Sequence, residues 1–180
     1  FRGKHGQRQR HVVENGRLAR IVAAMQRLPG DEVFKFREPG GAVRDLRSNH
    51  LNAYIKQALG EPWNARTFRT WGGTLLCAGA LARAARHSPA TEERTPHGAR
   101  LRHAAVAGAV RETAARLGNT VAACRRSYIH PGVLDAFANG RVVSAVLSRP
   151  EDLIAARAGL DRSERALLAL LRGERAAHAD

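Results

Sequence analysis

The chain has 180 residues, 44% of them apolar, which is enough for one domain with a core and excludes a disordered polycation. Lys and Arg total 30 against 16 acidic residues, a net charge of +14 that favours a polyanionic partner. Residues 1–148 hold 24 basic and 10 acidic residues while 149–180 hold six of each, so the whole excess sits in the first part. The most apolar run, Thr74 to Ala82, is too short to span a bilayer, and no signal peptide is visible. Cys77 and Cys124 fit a reducing, cytoplasmic setting better than a disulfide framework.

In chain order, residues 1–13 are expected to form two short strands around His5-Gly6-Gln7. Leu18, Ile21, Val22 and Met25 fall at helical spacing from Gly16 to Leu28, and Pro29-Gly30 ends that run. Glu32 to Arg37 reads as a strand closed by Pro39-Gly40-Gly41. Ser48 is a plausible N-cap for a helix through Leu59, with Leu51, Tyr54, Ile55 and Leu59 on one face; Tyr54 is expected in the core. Residues 66–86 form the longest helical stretch, rich in alanine for close packing. His87 to Gly98 reads as a loop, and a helix from about Ala99 to Leu117 stops at Gly118. A short helix over Ala122–Ser127 leads to Tyr128, and Pro131 to Ala138 is another, ended by Asn139-Gly140. Two amphipathic segments follow, 151–158 and 161–177. The expected fold class is mainly α with a small β element. The expected organisation is a main domain over 1–148 and a helical tail over 149–180.

Three segments carry chemistry: Phe1-Arg2-Gly3-Lys4, Arg66-Thr67-Phe68-Arg69-Thr70-Trp71-Gly72-Gly73, and Leu117-Gly118-Asn119-Thr120 leading to Arg125-Arg126-Ser127-Tyr128. In this order they resemble the catalytic domain of type IB DNA topoisomerases, in the small form of bacteria and poxviruses. The resemblance spans roughly residues 1–140 and implies that 1–148 is a catalytic, DNA-cleaving domain. It implies a domain that relaxes supercoiled double-stranded DNA by transient single-strand cleavage, without ATP or metal, as a monomer with no cofactor and no membrane partner. Its expected location is the cytoplasm, on the nucleoid.

The resemblance makes Tyr128 the nucleophile, forming a 3′-phosphotyrosyl link that stores the bond energy for religation. It makes Arg69 a clamp on the non-bridging phosphoryl oxygens, a task suited to a planar, permanently charged guanidinium. Arg66 stands where a Lys is more usual and, with Arg125 and Arg126, is a candidate DNA contact. Lys4 takes the place of the general acid that protonates the departing 5′-oxygen. Only Lys4, Lys35 and Lys56 are lysines here, and arginine cannot usefully release a proton, whereas a lysine beside guanidinium groups can. Asn119 stands where some members carry His and would donate to a non-bridging oxygen; it is equally suited to cap the following helix. Val121 replaces a common Pro.

The family uses a further arginine upstream of the hairpin, and no residue here is assigned its role. The chain begins at Phe1 without Met, so an amino-terminal part is expected to be missing and the fragment to be impaired. Two other readings share these features: a tyrosine recombinase, whose second arginine usually sits in a His-x-x-Arg element, and a non-catalytic basic module that clamps DNA. No Walker loop, HExxH or paired-Cys spacing occurs, so no metal site is expected.

Overall fold

The computed structural model describes residue 12 and residues 15–86, 95–146 and 159–173. Among these residues the chain is mostly helical with one two-stranded sheet, as the composition and periodicity predict. Two compact units emerge, one within Arg10–Phe68 and one within Arg69–Asp180. The expected 1–13 hairpin and the 151–158 segment lie outside the described residues.

In the first unit, helix α1 (Gly16–Gln26) starts at Asn15, whose side-chain oxygen accepts from the N–H groups of Arg17 and Leu18, both at 3.0 Å. Strand β1 (Lys35–Arg37) pairs antiparallel with β2 (Val43–Asp45), Phe36 standing opposite Arg44. Pro39-Gly40-Gly41 therefore turns the chain into a second strand that the residue pattern does not predict. Val43-Arg44-Asp45 carries a single apolar residue, too little to register as a period of two. The turn needs Gly41, at φ +87°, and is fastened by Arg37, which donates to the Gly41 carbonyl at 2.6 Å.

Helix α2 (Ser48–Leu59) begins one residue after Arg47, whose N–H donates to His50 Nδ1 at 3.2 Å. Ser48 is thus the first helical residue rather than the cap. Tyr54 is 68% exposed, which overturns its expected core position. The inward stripe of α2 runs instead through Asn52 and Ile55, one turn apart, and turns Tyr54 away. Asn52 Oδ1 accepts from Ala65 N at 3.0 Å and so joins α2 to the start of the next helix.

That helix is α3 (Ala65–Arg86), and from Arg69 onward it is the spine of the second unit. From Gly73 to Ala82 it is buried on almost every side, a pattern that small residues permit and a central helix requires. Helix α4 (Pro96–Leu117) starts three residues earlier than predicted, because Thr95 Oγ1 accepts from Gly98 N at 3.0 Å and Pro96 suits the first helical turn. Helices α5 (Val121–Ser127), α6 (Pro131–Ala138) and α7 (Arg162–Arg172) complete the described unit. Leu81, Val110, Val133, Leu167, Cys77 and Cys124 meet in its core.

Candidate active site

Arg69 lies one turn into α3, whose start is fixed from two directions. Asn64 Oδ1 accepts from Arg66 N at 3.0 Å and Thr67 N at 3.3 Å, beside the bond from Ala65 N to Asn52. The exposed Arg69 guanidinium donates Nη2–H to the Leu117 carbonyl at 2.8 Å, and its carbon stands 5.0 Å from the centre of the Tyr128 ring. At that separation a cation and an aromatic face attract. One arginine thus touches both segments that carry the other two described candidates.

Tyr128, half-buried, is the residue at which α5 ends. Its backbone is held against α3 by three contacts. Thr70 Oγ1 donates to the Ser127 carbonyl at 3.3 Å, and His130 N donates to Thr74 Oγ1 at 3.1 Å. Gly73 supplies the third: a Cβ there would strike the Tyr128 carbonyl oxygen and come within 3.0 Å of Leu117 Cδ1. The motif includes Gly73, but the resemblance gives it no role. The signal for one is a Gly-Gly pair inside a helix, costly unless a backbone must approach closely.

Asn119 follows the left-handed Gly118, at φ +64°. Its own N–H donates to the Ala114 carbonyl at 2.9 Å while that of Gly118 donates to Ala115 at 3.2 Å, the reciprocal pattern of a Schellman closure. The cap of α5 is Thr120, whose Oγ1 accepts from Ala123 N at 3.2 Å. Asn119 is therefore relieved of the capping role that its sequence position allowed. Its Nδ2 is buried and makes no hydrogen bond, the one such side-chain atom among the described residues. Buried polar groups nearly always have partners, so this donor is an exception within the fold.

Arg66 is exposed on the first turn of α3, and Arg125 and Arg126 are exposed on the last turn of α5. Lys4 lies outside the described residues. Under this surface, burial pushes the Cys77 thiol up to about 12, reinforced by Cys124 and opposed by the hydrogen bond with Thr113. Burial also raises Cys124, against the pull of the Arg69 charge. Both thiols stay protonated and inert at neutral pH. Among the described residues no group of three or more His, Cys, Asp or Glu side chains could hold a metal ion, and no helix is long and apolar enough to cross a membrane.

Arg69 thus links the half-buried Tyr128 to the turn that holds the unpartnered Asn119 amide. The chain belongs to the family of the eukaryotic DNA topoisomerase I catalytic core, whose family model matches residues 1–139. It is similar to the DNA topoisomerase 1B of Acanthamoeba polyphaga mimivirus, with 29% identity over 143 residues. That alignment covers 77% of this chain and 41% of the viral protein, so the chain spans about two fifths of that relative's length.

Proposed function

We propose that this chain is the catalytic part of a type IB DNA topoisomerase, which relaxes supercoiled double-stranded DNA through a transient 3′-phosphotyrosyl intermediate. The observation that carries this reading is the orphaned Asn119 Nδ2, set in the turn just after the carbonyl that receives Arg69. A donor held in place before the reaction needs no reorganisation as charge develops on phosphorus-bound oxygen.

In this mechanism the Tyr128 oxygen attacks phosphorus in line as the bond to the 5′-oxygen breaks. Arg69 and Asn119 hold the non-bridging oxygens, and Lys4 gives its proton to the departing 5′-oxygen. Arg69, 5.0 Å from the centre of the Tyr128 ring, also orients that ring. Arg66, Arg125 and Arg126 bind phosphates of the duplex. The free 5′ end then swivels about the intact strand before the reverse reaction reseals it, with neither ATP nor metal consumed. The family's further arginine has no counterpart assigned among these residues.

The test is covalent capture. The chain is incubated with end-labelled duplex DNA in EDTA without ATP, and the reaction is quenched with detergent. A labelled protein–DNA adduct is expected from the native chain and none from Tyr128→Phe, with DNA binding retained in both. An adduct that survives in Tyr128→Phe sinks the assignment of the nucleophile. No adduct from the native chain, with salt-sensitive binding intact, means that the family's further arginine is essential or that the chain is only a DNA clamp, and adding an upstream segment that carries this arginine decides between them.

A further inference from the structure

Helix α7 lies beyond the residues matched by the family model, in a segment whose sequence carries no recognised motif. It nevertheless grips both arms of the candidate site. Its first turn is a capping box: Asp161 Oδ1 accepts from Glu164 N at 2.7 Å, and Glu164 Oε2 accepts from Asp161 N at 2.9 Å. The other carboxylate oxygen, Glu164 Oε1, accepts the indole N–H of Trp71 at 2.8 Å. Trp71 stands two residues after Arg69 on α3. A half-buried indole N–H needs an acceptor and a half-buried carboxylate needs donors, so each partner meets the other's requirement.

The far end of α7 reaches the second arm. Leu171 Cδ2 lies 3.2 Å from where a Cβ on Gly132 would stand, a close approach at the start of α6. Gly132 N donates to His130 Nδ1 at 3.1 Å, within four residues of Tyr128. Arg141 reaches the Leu170 carbonyl at 3.4 Å, and Leu167 and Leu170 are buried in the shared core.

We propose that α7 is a positioning brace for the cleavage site and that Glu164, acting through Trp71, is a positioning residue that sets Arg69 over Tyr128. The inference rests on the cleavage reaction proposed above. Glu164 touches no reacting atom. It fixes the rotation of the α3 turn that carries Arg69, while Leu171 fixes the chain just past Tyr128.

The experiment uses the full chain with Trp71→Phe, which removes the indole donor and keeps the capping box, and with Glu164→Ala, which removes both. Each variant is expected to cleave about tenfold more slowly with DNA binding unchanged, since misplacement of a reacting group by a fraction of an ångström carries penalties of that size. The double variant is expected to be no slower than the worse single one. Placed on Arg69→Ala, neither change slows cleavage further. Native rates in both variants, or effects that multiply with Arg69→Ala, overturn the proposal.

A second readout needs no catalysis: the Arg69 guanidinium N–H signal in a nitrogen–proton correlation spectrum, assigned by its loss in Arg69→Lys. It shifts in both variants if α7 positions Arg69, and stays put if α7 only stabilises the fold. If the chain forms no adduct even with that upstream segment, the cleavage reading falls while this spectrum still decides the brace.

Discussion

Asn119 keeps an amide nitrogen buried with nothing to bind, and an unmade hydrogen bond of that kind costs about 1–3 kcal/mol. Removing it relieves that cost. Asn119→Ala is therefore expected to melt no lower than the native chain while its cleavage rate falls about 10²–10³-fold, the usual loss for one transition-state donor. Thermal melting and adduct formation on the same preparation check both halves. A neighbouring pair of glycines separates space from conformation in the same way. Gly72 has open space where a Cβ would stand, so Gly72→Ala is expected to stabilise α3 by up to ~1 kcal/mol. Gly73 faces the Tyr128 carbonyl, so Gly73→Ala must push the backbone of the nucleophile away. It is expected to lose stability by about 1–3 kcal/mol, the cost of overpacking, and to lose cleavage as well. Equal behaviour of the two alanine variants in a denaturant titration would refute this account.

At the level of elements, the N-terminal unit shows how a single side chain can finish a helix. Lys35 is 4% exposed and its ammonium donates to the Leu28 carbonyl at 2.8 Å and the Gly30 carbonyl at 2.6 Å, just past the end of α1. It thereby binds α1 to β1. Lys35→Met leaves both carbonyls without this donor and is expected to cost about 2–3 kcal/mol, the scale of a charged hydrogen bond. Lys35→Arg should not restore it, because a planar fork does not fit where a compact ammonium does. Hydrogen exchange across Leu28–Arg37 is the direct measurement, and unchanged protection in Lys35→Met would count against the role. The long helices are legible in the sequence because Gly and Pro punctuate them and their apolar positions recur at helical spacing. Strand β2 is not, since it is held by backbone pairing and by the Arg44–Glu38 ion pair at 2.8 Å rather than by an apolar period. Tyr54 misleads because a helical period gives a face without saying which side of it is covered. At the candidate site, the motifs single out Arg69, Asn119 and Tyr128 as candidates, and the contacts of Arg69 link the segments that carry them. The Schellman closure that spares the Asn119 side chain, and the grip of Glu164 on Trp71, depend on contacts across 93 residues or on backbone angles that no local spacing encodes.

On the scale of the whole molecule, the net charge of +14 governs how the chain meets its proposed substrate. With roughly six to ten phosphates bound, duplex affinity is expected to fall about 10³–10⁵-fold between roughly 50 and 200 mM salt. Replacing Arg125 and Arg126 together by Ala should flatten the slope of log affinity against log salt by about 2, one for each phosphate that an arginine no longer neutralises. A slope unmoved by that change would remove both arginines from the DNA surface. The close seating of Tyr128 on Gly73 has a mechanical meaning as well. While the duplex on the free 5′ side rotates about the uncut strand, the proposed phosphotyrosyl bond is the tether that holds the 3′ side to the protein. Any pull along that tether reaches the Tyr128 backbone, which is moored to α3 by Thr70, Gly73 and Thr74. Torque is then spread along a 22-residue helix instead of distorting a loop, and the broken ends stay in line for resealing.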